Sequence, residues 1–194
     1  MRDLKTFLQK FMQNCQNVYE PHEDSELLLR CALREIREED TVLEVGAGSG
    51  YVSYFLMDRC RFLIATDINP HAVRCMRELG IDCIRTDLAK GLKGKFSLIL
   101  FNPPYLELEE WEKAGDWIEI ALNGGKNGVE VAARFLVEIK ELLSDDGRII
   151  LVANSHNLKH ICREIERLGY HYEIVDRERL FFEELYGIRI KLKL

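Results

Sequence analysis

Apolar residues recur at helical spacing near the start of the chain, at Leu4, Phe7, Leu8, Phe11, Met12 and Cys15, and predict an amphipathic helix over residues 4–18. Pro21 breaks it. Asp24 or Ser25 can cap the next helix, which carries Leu29, Ala32, Leu33 and Ile36 on one face. Short continuous apolar runs at residues 41–45, 61–66, 81–86 and 96–101 then read as buried strands. A helix starting at Tyr51 follows the first strand. A second helix follows the second strand, with Asn69 as its cap, Pro70 at its first position and Gly80 at its stop. Residues 106–126 are acidic and aromatic, with Trp111 and Trp117, then glycine-rich, and read as a mobile or partner-facing loop. Asn127 with Glu130 three residues on resembles a capping box opening a helix to about residue 143. Residues 144–147 read as a turn and 148–153 as the fifth strand. Leu158, Ile161, Ile165 and Leu168 mark another helix, which Gly169 ends. Residues 170–175 and 188–194 are the last strands, and with no helix between them they are expected to pair as an antiparallel hairpin.

Strand and helix alternate through most of the chain, which predicts a parallel sheet with helices on both faces. No repeat or linker interrupts it, so residues 1–194 are expected to form one domain, with helices over 1–40 and the sheet core over 41–194. A chain of 194 residues that is 47% hydrophobic can bury a full core. The net charge of −6 argues against a nucleic-acid partner, though not against a local basic patch. No apolar run approaches a membrane span and the first residues lack a signal peptide's apolar stretch, so a cytoplasmic protein is expected. The six cysteines form no C-x-x-C pair; no metal site is expected, and most of them are expected to be reduced core residues.

The first strand runs into Glu44-x-Gly46-x-Gly48-x-Gly50 and then a helix. Glycines there let a backbone approach a ligand closely. The dinucleotide fingerprint needs its third glycine where this chain has Tyr51. An acid just before the loop suits a cationic ligand better than a pyrophosphate, and a sulfonium nucleoside with a free amino group, S-adenosylmethionine, meets that need. Asp67 ends the next strand, where it can take the ribose hydroxyls, and Asp87 ends the third, where it can accept from an adenine amine.

The fourth strand stops at Asn102-Pro103-Pro104-Tyr105, because two prolines remove two ladder donors and forbid helix. Asn102 therefore emerges on a stiff corner at a strand's carboxyl end. An sp² nitrogen is a weak nucleophile and needs positioning more than deprotonation. The Asn102 side-chain oxygen and the Pro103 carbonyl can each accept one N–H of an NH₂ group, and Tyr105 can stack on a planar acceptor.

Six stretches, in order, resemble the HemK-type glutamine methyltransferases, in the single-domain archaeal and eukaryotic form: Val18-Tyr19-Glu20-Pro21-x-Glu23-Asp24-Ser25, Glu44-Val45-Gly46-x-Gly48-Ser49-Gly50, Thr66-Asp67-Ile68-Asn69-Pro70, Asp87-Leu88, Phe101-Asn102-Pro103-Pro104-Tyr105 and Gly124-Gly125-Lys126-Asn127-Gly128. The resemblance spans about residues 18 to 150. It implies a Rossmann-like class I S-adenosylmethionine-dependent methyltransferase fold, a seven-stranded, mostly parallel sheet of order 3-2-1-4-5-7-6 with an antiparallel last strand. The activity it implies is methyl transfer to the side-chain amide of the glutamine in the Gly-Gly-Gln motif of a class I translation release factor. It further implies that Tyr19, Ser25, Glu44, Gly46, Gly48, Gly50, Asp67, Ile68, Asp87 and Leu88 hold the cofactor, with Asn102 touching both cofactor and glutamine. The resemblance also implies a small zinc-binding activator protein; the edge at residues 81–86 is expected either to receive it or to be shielded by residues 4–18 or a loop. His22 stands where the family has a small residue, and reads as a surface histidine. The competing readings are an adenine or guanine amino methyltransferase, which shares the Asn-Pro-Pro-Tyr chemistry, a non-catalytic cofactor-binding partner protein, and a nicotinamide dehydrogenase.

Overall fold

The computed structural model describes residues 3–108 and 115–193; Trp111 and Leu194 lie outside the described residues, as does the Met12 side chain. Seven strands form one sheet of order β3-β2-β1-β4-β5-β7-β6: β1 Thr41–Val45, β2 Phe62–Asp67, β3 Cys83–Arg85, β4 Phe96–Phe101, β5 Leu143–Asn154, β6 Tyr170–Arg179 and β7 Glu184–Leu192. The first five are parallel, and β7 runs antiparallel to both neighbours.

Alternation along the strands assigns the two cores. Val42, Leu98, Leu100, Ile150 and Val152 face one side, under α1 (Leu4–Asn14), α2 (Glu23–Glu35), α3 (Tyr51–Leu56) and α4 (Pro70–Glu78). Leu43, Val45, Ile99, Phe101, Ile149 and Leu151 face the other, under α6 (Glu130–Glu138) and α7 (Leu158–Arg167). The central strands are buried on both faces, which is why they read as unbroken apolar runs. Strand order reverses between β1 and β4, so a crevice opens past their carboxyl ends. Val45 is the register partner of Phe101, which sets Gly46 and Asn102 side by side at its floor.

Several local expectations are corrected. Cys15 and Cys75 form a disulfide, with their Cα atoms 5.2 Å apart; α1 packs on α4 and brings together two thiols that are 60 residues apart in sequence. The other four cysteines are free. Neither Asp24 nor Ser25 caps α2: His22 takes the cap position without a side-chain bond, and Asp24 lies buried inside the first turn. The buried face of α2 is Leu27, Leu28, Cys31 and Ala32, while Leu33 is exposed. Residues 144–147 are not a turn between elements. They bulge within β5, because Phe96 pairs with Leu143 and Leu98 with Arg148. Asn127 caps nothing: it sits at φ +55° inside a 3₁₀ turn, and α6 starts after Val129 and ends at Glu138, followed by a second 3₁₀ turn. Residues 106–126 contain a helix, α5 (Trp117–Leu122), capped by Asp116, whose side chain accepts from the Glu119 amide.

Candidate active site

The loop after β1 is pinned before any ligand arrives. Asp67 Oδ2 accepts from the Gly48 amide at 2.8 Å and Oδ1 from the Asn69 amide at 2.8 Å, while the Ala47 amide donates to the Thr66 carbonyl at 2.9 Å. Gly48 sits at φ +55° with open space where a Cβ would go, so the position is glycine for its backbone conformation. Gly50, at φ +75°, has a second reason: a Cβ would meet Ile81 Cδ1 at 2.7 Å and Met76 Cγ at 2.8 Å, under α4.

Glu44 and Asp67 hold negative charge in reserve. Glu44 is buried and accepts from the Ser53 hydroxyl; burial pushes its carboxyl up to about 7, the Ser53 bonds oppose that, and the Asp67 charge adds to it. Burial likewise pushes Asp67 upward, against bonds from the Asn69 and Gly48 amides. Two crowded carboxylates in an apolar floor favour a cation that would let both ionise. Asp87 is different. It is half-buried, its Oδ2 accepts from Lys90 Nζ at 2.5 Å and from Arg134 at 2.6 Å, and the Lys90 bond leads in holding its carboxyl below the usual range. Leu88, beside it, adopts φ +53°, a conformation that costs a branched residue ~1–3 kcal/mol, and the Thr66 hydroxyl clamps its carbonyl at 2.8 Å.

Glu44, Gly46, Gly48, Asp67, Ile68, Asp87, Leu88, Asn102, Pro103, Tyr105, Tyr19 and Ser25 all line one cavity of about 370 Å³; Gly50 lies just behind its wall. The volume is in the range of small-ligand sites.

Across that cavity, the prolines end β4 and present Asn102. Its Oδ1 is buried and, among the described residues, has no hydrogen-bond partner. A buried acceptor without a donor costs ~1–3 kcal/mol, and because Asn102 lines the cavity a bound group can supply that donor. The corner is backed by the loop after α5. A Cβ on Gly124 would lie 2.5 Å from the Pro104 carbonyl oxygen, and one on Gly128 would collide with the Tyr105 carbonyl. The Asn157 side-chain amide holds the Gly128 carbonyl at 3.0 Å. The glycine-rich loop therefore buttresses the asparagine corner, where the sequence suggested mobility or a partner.

Tyr105 is held by its hydroxyl, which donates to Asp24 Oδ2 at 3.3 Å; the Tyr19 hydroxyl donates to the same oxygen at 3.1 Å. Burial first, then the Asp24 charge, push both phenols up, so they remain donors. Asp24, 3% exposed, is the member of the site that sequence reasoning missed. The available signal was an acid in a proline-broken stretch flanked by a tyrosine. Trp117 and Ile120 of α5 and Arg134 of α6 also line the cavity and were not anticipated. His22 is exposed, edge-on to Tyr19 at 5.4 Å between ring centres.

Residues 13–117 match the methyltransferase small domain family. The chain is 38% identical over 176 residues to a Methanocaldococcus jannaschii protein assigned as a protein N5-glutamine methyltransferase, covering 87% of this chain and 88% of that one. It is 41% identical over 158 residues to the mouse methyltransferase HEMK2, covering 73% and 74%. Among solved structures it is similar to a chain of the E. cuniculi Mtq2–Trm112 complex, described as responsible for methylation of the eRF1 translation termination factor. That likeness has a TM-score of 0.75 and 26% identity, over 92% of this chain and 100% of that one.

Proposed function

The chain belongs to the methyltransferase small domain family, among relatives named as glutamine methyltransferases, and on that premise we propose that it is an S-adenosylmethionine-dependent N5-glutamine methyltransferase that acts on a class I translation release factor. One observation carries the reading of the site: a buried, unpartnered amide oxygen on a proline-stiffened corner beside a glycine loop with an acid floor.

When bound, S-adenosylmethionine supplies a methyl group activated by its sulfonium. Glu44 and Asp67 suit its positive charge and its ribose, and the left-handed turn at Asp87 and Leu88 suits an adenine edge. Asn102 Oδ1 accepts one N–H of the acceptor amide and the Pro103 carbonyl the other, which turns the nitrogen lone pair toward the methyl group. Orientation of this kind can supply several kcal/mol of the barrier. As the nitrogen–carbon bond forms and the carbon–sulfur bond breaks, one amide proton must leave. Neither oxygen is basic enough to keep it, and it passes to water. Tyr105, fixed by Asp24, walls the acceptor's plane.

The reading also suggests a partner. Among the described residues the edge strand β3 pairs with β2 alone, and Ile84 on it is exposed. Helix α1 lies against α4. A small activator, of the zinc-binding kind that the family resemblance implies, would add a strand beside β3. Cys83→Pro should weaken that complex while the isolated chain stays folded. A protein that acts on release factors would meet them in the cytoplasm. Among the described residues no helix is long and apolar enough to cross a membrane.

The test is radiolabelled methyl transfer to a release factor and to a form whose Gly-Gly-Gln glutamine is replaced by alanine. Label on the first alone supports the reading. Equal label on both, or label on adenine-containing nucleic acid, would overturn it.

A further inference from the structure

Phe181 and Phe182 are 92% and 88% exposed, the two most exposed large apolar side chains among the described residues. They form the tip of the β6–β7 hairpin, ring edge to ring face at 4.6 Å. Solvent-exposed aromatic pairs are uncommon on monomers and mark contact sites.

The topology puts this tip at the end of the sheet where the cavity opens. Because β7 runs antiparallel to β5 and Leu185 pairs with Asn154, the hairpin turns at the carboxyl end of β5, the end where Asn102 leaves the adjacent strand β4. Its base is fixed. Asn154 Nδ2 donates to Glu183 at 3.0 Å, the Leu180 amide to the Glu183 carbonyl at 2.9 Å, and Leu180 packs on the core under α2. Arg30 ties Asp176 at 2.7 Å and Glu178 at 2.9 Å to α2, the helix that carries Asp24. Glu183 is near enough for its charge to act on the Tyr19 and Tyr105 hydroxyls. Ile120 of α5, 46% exposed, and Glu119 beside it line the cavity.

We propose that the Phe181–Phe182 tip is the docking anchor for the polypeptide that flanks the acceptor glutamine, seating apolar side chains against the two rings while Glu183 beside them and Glu119 of the cavity lining receive basic ones. This rests on the glutamine-methyltransferase reading and adds to it a surface. Charge favours the occupant: Glu183 and Glu119, on a protein of net charge −6, attract a basic peptide more than a phosphate backbone, with Arg177 and Arg179 exposed farther along the same hairpin.

The test compares the full chain with a Phe181→Ser/Phe182→Ser variant, on a release factor and on a free Gly-Gly-Gln tripeptide too short to reach the hairpin. Both residues are solvent-exposed, so folding should be unaffected, and a matching melting curve checks that. The expected result is KM for the release factor raised about tenfold or more, the loss typical of removing an aromatic anchor, with kcat, cofactor affinity and tripeptide rate unchanged. An unchanged KM with an active wild type would overturn the docking assignment alone. So would loss of activator binding, or of self-association, in the variant, since either hands the tip to another occupant. A wild type that methylates neither substrate would overturn the glutamine reading and the docking surface with it.

Discussion

Gly124 and Pro104 are built against each other: the Cα of Gly124 approaches so closely that an added Cβ would sit 2.5 Å from the Pro104 carbonyl oxygen and 3.0 Å from the backbone of Gly128. All of these neighbours are main chain and cannot swing aside. The corner that presents Asn102 is thus stiff from within, through its prolines, and from behind, through a glycine loop.

Gly124→Ala should therefore act on catalysis more than on the cofactor. Forcing the corner to move costs about 1–3 kcal/mol of stability, and displacing Asn102 by a fraction of an ångström to an ångström should lower kcat by up to about 100-fold. Thermal melts and steady-state kinetics on the variant check this, with cofactor affinity by calorimetry expected to change little.

Glu44 makes stability depend on pH. Its folded carboxyl is raised to about 7 from an ordinary 4.5, first through burial. The folded state then binds the extra proton, so this contribution is full below 4.5 and is lost as pH rises through 7. Its size is of the order of 3 kcal/mol in the cofactor-free protein. Denaturant unfolding at pH 5 and pH 8 should show that loss in the wild type and a flatter profile in Glu44→Gln. The cofactor's positive charge favours the ionised form, so its affinity should rise with pH across the same window more steeply in the wild type than in Glu44→Gln, which keeps only Asp67.

Asp67→Ala removes both the partner of the Gly48 and Asn69 amides and a charged acceptor facing the cavity. A charge-assisted hydrogen bond contributes ~1.5–3 kcal/mol, so cofactor affinity should fall roughly 10- to 150-fold. Calorimetry showing unchanged affinity would remove Asp67 from the cofactor site.

The strands that frame the crevice were legible because a strand buried on both faces has to be apolar throughout; β4 is read to the residue as Phe96–Phe101. The glycine loop was legible because positive φ and close approach demand one residue type. What was not legible depends on partners far away in sequence. Asp24 looks like a helix cap until Tyr105, 81 residues on, is folded against it. The Cys15–Cys75 bond needs the packing of α1 on α4, which spacing does not encode. The 144–147 segment has turn composition, and only its pairing with β4 shows that it bulges inside β5. Asn127 has a cap's sequence signature, but Gly125 and Gly128 place it in a left-handed turn before α6 begins.

Asp24→Asn keeps the shape and removes the charge that gathers Tyr19 and Tyr105. The rate with release factor should fall while the melting temperature, read by a thermal melt, shifts by only a few degrees.

The central claim is that Asn102 orients the acceptor amide. Its buried, unpartnered Oδ1 is the feature that assigns it that role. The direct measurement is the single-turnover methylation rate of Asn102→Ala on a release factor, beside its affinity for S-adenosylmethionine. The account predicts a rate lowered by about a hundredfold or more with affinity reduced only modestly, since orientation is realised mainly in the transition state. A rate close to that of the wild type would contradict it and leave Asn102 as a turn residue.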